Sequence, residues 1–355
     1  MFTNSQNWTK ALIGTIFVLV LPVAIINVAI LTTCYKALDG SAKSLLAGKK
    51  VIFLDLNDAG SLLPRHILNN LLKAPKIAAI GSSRVLNLHK SIVAPEQSDY
   101  LVNCCIAADL TNLEGIVNAY LLGAKSLPTH VVLGVDPWLF NGNYKTSFPI
   151  FSSLGNMPWL TNEACRQLVS WPIFFSQEVD FVKIFSFEFT SKNFKKLLSP
   201  QDLFKIFEST PERKDKAYFD SDGSRFSHQI EAENISYLVQ FIYKMYFQNF
   251  MKLENQLRLE RLVLFLKAHD VNIAFYLAPF HPEFISNLRN KKKHALLVAC
   301  ENFAKKIAKK YSIPLVGSYF PEAYQLRHDD FIDALHVTDK ATEKIWQIDR
   351  QNVQF

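Results

Sequence analysis

One uninterrupted apolar run dominates the hydropathy pattern near the start of the chain. Over residues 11–33 the sequence ALIGTIFVLVLPVAIINVAILTT contains no charged residue. At about 1.5 Å of rise per residue, a helix of this length crosses a hydrocarbon layer of about 30 Å. A cleaved signal peptide would have a shorter apolar region and small residues at its cleavage site, whereas TTCYKAL follows here. The pattern therefore predicts an uncleaved transmembrane anchor.

After a polar lead-in over residues 34–75, short apolar runs alternate with helical patterns. Such alternation predicts an α/β domain with a mainly parallel sheet over residues 76–355. Strands are expected at residues 77–80, 100–104, 130–135, 272–278 and 313–316. Helices are expected at residues 112–123, 235–269 and 291–311.

The interval of about residues 140–230 breaks this alternation. It contains Trp159, Trp171 and a run of phenylalanines between residues 174 and 189. An insertion between the third and fourth strands predicts a cap of short helices over the carboxyl edge of the sheet. Its aromatic side chains are interpreted as a subdomain core rather than a sugar-stacking platform. The stretch DSDGS from Asp220 lacks the spacing of a calcium loop and predicts a turn.

Composition narrows the range of partners. Of 355 residues, 49% are hydrophobic and 20% are charged, and the mean hydropathy is +0.06, which fits a globular domain with an apolar anchor. The net charge of +7 is spread along the chain, with clusters at residues 291–293 and 305–310 in helical patterns. Because no nucleic-acid motif accompanies these lysines, they are interpreted as a solvated helix face or as contacts with anionic lipid. No nucleic-acid partner is expected.

Two adjacent serines, Ser82 and Ser83, follow the first strand in the stretch IGSSR. A side chain in such a turn projects above the carboxyl edge of a parallel sheet, where these sheets bind ligands. A serine there is either a helix N-cap or, if a histidine reaches it, a nucleophile. Near the other end of the chain, FIDALHVTDKA places Asp333 three residues before His336. This spacing lets the carboxylate contact Nδ1 while Nε2 points outward, as proton transfer by a histidine requires.

In IGSSR and FIDALHVTDKA the sequence resembles the SGNH (GDSL-like) hydrolases. Within them it is similar to a membrane-anchored bacterial branch that includes the D-alanyl transfer protein of lipoteichoic acid and the alginate O-acetylation proteins. The resemblance implies a three-layer, flavodoxin-like α/β fold. It also implies that Ser83 is the nucleophile, His336 the general base and then acid, and Asp333 the orienting carboxylate. The strand order extends the resemblance over residues 75–350, but only the first and last blocks are specific.

The two middle blocks of the family are matched less closely. The second block supplies a glycine N–H to the oxyanion hole, and here Ala107 and Ala108 stand at that place. The third block ends in an asparagine that also donates to the oxyanion, whereas this strand ends in LGVDPWLFN, with Asp136 and then Asn141. An ionised carboxylate cannot donate, and one lost donor raises the barrier by about 3 kcal/mol. Three outcomes stay open: another donor such as Asn141 substitutes, Asp136 faces elsewhere, or the protein is slow or inactive.

Three further residues near the predicted site have two interpretations each. Ser82 is either the attacking group or, as the family register favours, a hydrogen-bond partner that supports the turn. Arg84 forms a structural ion pair or contacts an anionic substrate. His281, in APFHPEF after the fourth strand, is a turn residue or a substrate contact. Metal-binding spacings and phosphate-binding loops do not occur in the sequence, so neither a metal nor a cofactor is expected.

The resemblance implies a membrane-anchored serine esterase or O-acyltransferase that acts through an acyl-enzyme on a cell-envelope carbohydrate or glycolipid ester. It implies a bacterial cytoplasmic membrane, with the catalytic domain outside the cytoplasm. The lysines after the anchor, at residues 36, 43, 49 and 50, favour the opposite orientation by the positive-inside rule, as in a cytosol-facing lipid esterase. Another interpretation is a catalytically weak scaffold of the same fold that binds polysaccharide or partners a membrane O-acyltransferase.

Overall fold

A long apolar helix, α1 (Leu21–Leu46), leads into the folded domain. The computed structural model describes residues 18, 20–53, 59–104, 109–124, 126–141, 185–200, 203–207, 218–226, 251–288 and 292–353. The 26 residues of α1 span about 39 Å and, by length and composition, suffice to cross a membrane. The first part of the predicted anchor, residues 11–17, lies outside the described residues. The helix continues past the predicted end at residue 33 because Ala42 and Leu45 of its last turns are buried in the domain core.

Nine strands occur in the described parts of the chain. In chain order they are β1 (Lys50–Phe53), β2 (Ile77–Gly81), β3 (Tyr100–Cys104), β4 (His130–Gly134), β5 (Phe204–Phe207), β6 (Tyr218–Phe219), β7 (Arg225–Phe226), β8 (Asn272–Leu277) and β9 (Leu315–Gly317). Helices after α1 are α2 (Ala59–Asn70), α3 (Lys90–Val93), α4 (Leu110–Ala119), α5 (Phe187–Asn193), α6 (Lys195–Leu198), α7 (Leu253–Ala268), α8 (Pro282–Leu288), α9 (Lys292–Lys310) and α10 (Asp339–Asp349).

A five-stranded parallel sheet of order β3-β2-β4-β8-β9 forms the centre of the domain. Its strands are the five that the alternating sequence pattern predicts, so the prediction of a mixed α/β domain with a parallel sheet is confirmed. β3 and β4 flank β2 on opposite sides, so the order in which strands are added to the sheet reverses at β2. The carboxyl ends of β2 and β4 therefore form the switch point at which open α/β sheets bind ligands.

Side chains of the central strands alternate between two buried layers. In β2, Ile77 and Ala79 face a layer that contains residues of α2 and α10, while Ala78 and Ile80 face a layer with residues of α4, α7 and α9. Such two-sided burial explains why these strands are continuous apolar runs rather than alternating ones. The sheet thus lies between two helical layers and presents its carboxyl edge for a site.

A second, antiparallel sheet of order β5-β1-β6-β7 joins the lead-in to the insertion. Its hairpin, β6 and β7, turns at DSDGS, so the predicted turn is confirmed: Gly223 has φ of +78° and its N–H donates to Asp220 O over 2.9 Å. The described helices of the insertion, α5 and α6, contact α1. The described parts of the insertion thus contact the first helix and the first strand, and the helical cap over the carboxyl edge stays a prediction. The remainder of the insertion, residues 142–184, 201–202, 208–217 and 227–230, lies outside the described residues. The same holds for residues 235–250 of the helix predicted at 235–269.

Candidate active site

The chain turns sharply between β2 and the short 3₁₀ helix Ser83–Val85. A Cβ atom on Gly81 would lie 2.6 Å from Val85 Cγ1, and one on Gly134 at the end of β4 would lie 2.5 Å from the same atom. Val85 therefore packs into a gap that exists only because both strands end in glycine. This close packing fixes the path of the backbone at Ser83.

Ser83, His336 and Asp333 form a continuous chain of hydrogen bonds. Ser83 Oγ lies 2.8 Å from His336 Nε2, and His336 Nδ1 lies 2.8 Å and 2.9 Å from the two carboxylate oxygens of Asp333. All three side chains are partly exposed, so a ligand can reach the serine. The structure brings together the groups that the two sequence motifs predict, with Ser83 and His336 separated by 253 residues along the chain.

The loop that carries His336 is held closed at its base. An isolated antiparallel bridge joins Phe331 to Val337, and Ile332 N–H donates to His336 O over 2.8 Å. Immediately afterwards Thr338 caps the N-terminus of α10 by accepting a hydrogen bond from Ala341 N–H. The loop therefore has little freedom, which favours a single position of the imidazole.

The Asp333 carboxylate is stabilised in its ionised form. Burial by itself raises its pKa, but the charge of His336 and hydrogen bonds from the His336 ring and from the N–H groups of Leu335 and His336 hold the pKa well below its usual range. An ionised Asp333 keeps the proton of the imidazole on Nδ1 and leaves Nε2 free to accept one from Ser83. This is the electrostatic arrangement that activates a serine.

Asp136 faces away from Ser83 and pairs with Arg84. Its Oδ1 accepts from Arg84 Nη1 over 2.9 Å, and its Oδ2 accepts from Ser82 Oγ over 2.6 Å. Ser82 in turn accepts from Arg84 N–H over 3.2 Å. Of the open interpretations, the geometry therefore shows Asp136 directed elsewhere, Arg84 in a buried ion pair and Ser82 supporting the turn.

Arg84 also ties three loops of the site together. Its Nε donates to Leu335 O over 3.1 Å, next to His336, and its Nη2 donates to the carbonyl oxygens of Ala278 and Pro279 after β8. The guanidinium carbon lies 3.9 Å from the centre of the Phe280 ring, which favours a cation–π contact. Sequence reasoning identified Arg84 but not these acceptors, because backbone carbonyls carry no sequence signal.

The other predicted residues are less directly involved. His281 is fully buried at the start of α8, where Nδ1 accepts from Glu283 N–H over 3.2 Å, so of its two interpretations the geometry favours the turn residue. Asn141 is buried and follows the 3₁₀ helix Pro137–Phe140, where its N–H donates to Trp138 O over 3.0 Å. Ala107 and Ala108 lie outside the described residues.

Sequence reasoning missed a second network next to the site, which is buried except at Asp339. His89 Nδ1 lies 2.6 Å from Ser224 Oγ, and its Nε2 lies 2.8 Å from Asp339 Oδ1. Ser224 Oγ donates to Asp222 Oδ1 over 2.5 Å, and Asn87 Nδ2 donates to Asp339 Oδ1 over 3.1 Å. This network attaches the β6–β7 hairpin to the start of α10, three residues after His336.

Two further searches, for a metal site in the described residues and for related proteins, found no match. Over the described part of the chain, no group of three or more His, Cys, Asp or Glu side chains could hold a metal ion. In comparisons with known proteins, no family model, curated protein or solved structure matches this chain. The geometry itself indicates a chemistry: an accessible serine hydroxyl bonded to an imidazole that an ionised carboxylate orients can attack an acyl carbon.

Proposed function

We propose that this protein is a membrane-anchored serine esterase or O-acyltransferase of the SGNH type. The observation that carries the proposal is the hydrogen-bonded series Ser83, His336, Asp333 at the switch point of a parallel sheet. The position of Ser83 directly after the first strand of that sheet, and of the Asp-x-x-His loop directly before the last helix, supports the SGNH comparison. Neither feature depends on the two poorly matched middle blocks.

The reaction would begin with transfer of the Ser83 hydroxyl proton to His336 Nε2 as Oγ attacks an ester carbonyl carbon. The tetrahedral intermediate collapses when His336 gives that proton to the departing alcohol oxygen, leaving an acyl group on Ser83. Water or a sugar hydroxyl then loses its proton to His336 and attacks the acyl carbon. His336 finally returns the proton to Ser83 Oγ, which regenerates the enzyme and releases an acid or a new ester.

The oxyanion would be held by backbone donors. Ser83 begins a 3₁₀ helix, so its N–H has no acceptor within that helix and is available to the developing oxyanion. Arg84 neutralises Asp136, so the carboxylate that replaces the family's asparagine does not oppose the oxyanion with an unpaired charge. The second donor is proposed to be an N–H at Ala107 or Ala108.

The anchor would hold this site beside the cell-envelope substrate. We propose that α1 crosses the cytoplasmic membrane of a bacterium and that the domain lies outside the cytoplasm, where carbohydrate and glycolipid esters occur. A C-terminal fusion to alkaline phosphatase, which is active only outside the cytoplasm, tests this orientation. An active cytosolic reporter and an inactive phosphatase would instead favour the cytosol-facing lipid esterase.

The catalytic proposal is tested with p-nitrophenyl acetate and a fluorophosphonate probe on the full chain in detergent. Ser83→Ala is expected to abolish both turnover and labelling, and the labelled peptide from the unaltered protein should carry the phosphonate on Ser83. Ser82→Ala is the matched control: it removes the neighbouring hydroxyl and should still be labelled. Turnover equal in Ser83→Ala and the unaltered protein, or a phosphonate on Ser82, would contradict the assignment.

A second candidate is a catalytically weak scaffold of the same fold that binds polysaccharide or partners a membrane O-acyltransferase. One observation favours it: the side chain at the third-block position is a carboxylate engaged by Arg84 and Ser82, so it supplies no oxyanion donor. Fluorophosphonate labelling without measurable turnover of several acetate esters, together with retention of the protein on polysaccharide, would support this alternative.

A further inference from the structure

The segment of residues 185–198, hereafter the interface segment, lies against the apolar half of α1. Its sequence FSFEFTSKNFKKLL forms α5 and α6, both of which contact α1. Ser186 caps α5 by accepting from Phe189 N–H over 3.1 Å, which satisfies one of the free donors at the start of the helix. A helical backbone of this kind tolerates an environment without water.

Asn27 fixes the depth of the interface segment relative to the predicted anchor. This residue lies six positions before the end of the apolar run at Thr33, which places it about 9 Å inside that end. Its side chain is fully buried: Nδ2 donates to Ser186 O over 3.0 Å, and Oδ1 accepts from Thr190 Oγ1 over 2.7 Å. A polar amide at hydrocarbon depth is costly unless it is paired. The pairing therefore brings the start of α5 to the same depth.

The exposed surface of the interface segment mixes large apolar side chains with the polar residues Glu188, Ser191, Lys192 and Lys195. Four large side chains of the segment are exposed, with Phe187 61% and Leu198 69% accessible and Phe185 and Phe194 also exposed. On α1 one face is buried and the other is exposed. The exposed face comprises Leu21, Ile25 and Val28. A soluble protein rarely leaves so many neighbouring phenylalanines and aliphatic residues in water.

Most charged residues of the interface segment are basic. Lys192, Lys195 and Lys196 stand against a single acid, Glu188, which pairs with Lys192 over 2.5 Å. Lysine side chains at a membrane surface extend their stems along apolar groups and place the ammonium among anionic headgroups. The remaining lysines lie toward the end of the segment, where α6 follows α5 directly.

We infer that the interface segment is a membrane-embedded element that seats the domain on a bilayer, with its phenylalanines and leucines among acyl chains and Lys195 and Lys196 on anionic headgroups. The inference rests on the proposed anchoring of α1 in a bilayer. It goes beyond a single-pass anchor, because a second amphipathic contact beside α1 restricts the tilt and rotation of the domain and keeps the site close to the lipid surface.

The test uses the full chain in nanodiscs that contain phosphatidylglycerol and a lipid with a nitroxide on its acyl chain. An environment-sensitive fluorescent amino acid replaces Phe187, Phe194, Val28 or Leu253 in turn. Leu253 is the control, because it is 66% exposed at the start of α7, in the helical layer opposite α2 and α10. Quenching at residues 187 and 194 is expected to be several-fold greater than at residue 253 and comparable with that at residue 28.

The outcomes separate this inference from the proposed anchor. Strong quenching at residue 28 with quenching at 187 and 194 as weak as at 253 would overturn the inference while the anchor stands, and would mean that protein covers this face. Weak quenching at all four positions would remove both the anchor and the inference, while leaving the esterase assay unaffected. Each variant keeps a large apolar side chain at the altered position. Weak quenching can therefore not be ascribed to a polar substitution that prevents folding.

A charge test addresses the headgroup contact separately. Reversal of Lys195 and Lys196 to glutamate should lower quenching at residue 194 several-fold in phosphatidylglycerol nanodiscs and much less in phosphatidylcholine nanodiscs. The matched control reverses Lys306 and Lys309, exposed lysines of α9 that have no place in the proposed contact. Equal quenching after both reversals would overturn the assignment of these lysines to anionic lipid.

Discussion

Two serine–histidine–aspartate networks lie within the same part of the molecule, and only one has the features of a catalytic site. In the first, Ser83 contacts Nε2 of His336 and Asp333 contacts Nδ1. In the second, Ser224 contacts Nδ1 of His89 and Asp339 contacts Nε2. The distances are nearly the same, between 2.6 and 2.9 Å, so distance alone does not distinguish a nucleophile from a structural hydroxyl.

The two serines differ in solvent accessibility and in the group to which the hydroxyl donates its proton. Ser224 is 0% exposed, and its hydroxyl donates to Asp222, so no substrate reaches it and its proton is already engaged. Ser83 is partly exposed, and among the described residues its hydroxyl contacts only the imidazole. The first network can therefore attack an acyl group, whereas the second holds the β6–β7 hairpin against α10.

The strongest contrast is expected from the two aspartates. Asp333→Asn removes the charge that orients and stabilises the His336 ring, and loss of this charge in a serine triad lowers kcat by about 10⁴-fold. Asp339→Asn, the matched change in the second network, should leave kcat/KM for p-nitrophenyl acetate within about tenfold because Asp339 touches no reacting group. Equal losses in the two variants would mean that the networks work as one unit.

The next largest effects are expected on folding stability, when the residues that support the two networks, Arg84 and Asn87, are replaced. Arg84→Met leaves the buried Asp136 carboxylate without its cation, a change that costs about 3–5 kcal/mol of folding free energy. Asn87→Leu removes hydrogen bonds to Val337 O and Asp339, which costs about 1–3 kcal/mol. Urea unfolding of the full chain in detergent, followed by tryptophan fluorescence, measures both.

Arg84→Lys tests whether the charge of Arg84 alone is enough to support the Ser83–His336–Asp333 network. A lysine keeps the positive charge but cannot reproduce the planar set of donors that reaches Leu335 O and the carbonyls after β8. We expect a stability between those of Arg84→Met and the unaltered protein, with kcat reduced because the loop of His336 loses one tie. A lysine variant as stable and as active as the unaltered protein would show that charge alone supports the site.

The sequence predicted the first network but not the second, for physical reasons. Ser83 follows a buried strand, and Asp333 and His336 are three residues apart, so each motif can be identified locally. His89, Ser224 and Asp339 lie far apart on different elements. Ser224 ends the stretch DSDGS and Asp339 lies within FIDALHVTDKA, but neither stretch indicates a contact with the other or with His89. Their contact depends on how the hairpin docks, which no local pattern encodes.

The same reasoning explains the outcome for the fold. The five central strands were predictable because burial on both faces makes them apolar runs. The antiparallel sheet was not, because β6 and β7 have two residues each and pair with β1 from the lead-in. The sequence leaves the direction of Asp136 open, because its position after the strand is visible in sequence whereas its pairing with Arg84 is a tertiary contact.

A third histidine, His281, contrasts with His336 and His89 in its hydrogen bonding. It is fully buried, and its Nε2 has no hydrogen-bond partner in the described residues. Burial disfavours the imidazolium and, with the neighbouring His328, lowers the pKa of His281 to about 4, although Glu283 and Asp333 favour the charge. At pH values between about 4 and about 6.5, His281 binds a proton in the unfolded chain but not in the folded protein. Stability should therefore fall with falling pH.

The expected loss attributable to His281 is about 3 kcal/mol between pH 7 and pH 4, the free-energy equivalent of its pKa shift. His281→Asn retains an acceptor for Glu283 N–H but does not titrate, so its free energy of unfolding should decline less steeply over this interval. The difference between the two urea-unfolding profiles isolates His281 from His328, Glu283 and Asp333, which both proteins share. Parallel profiles would show that the folded protein accommodates the imidazolium as readily as the unfolded chain does, and that a buried ring nitrogen without a partner carries no cost here.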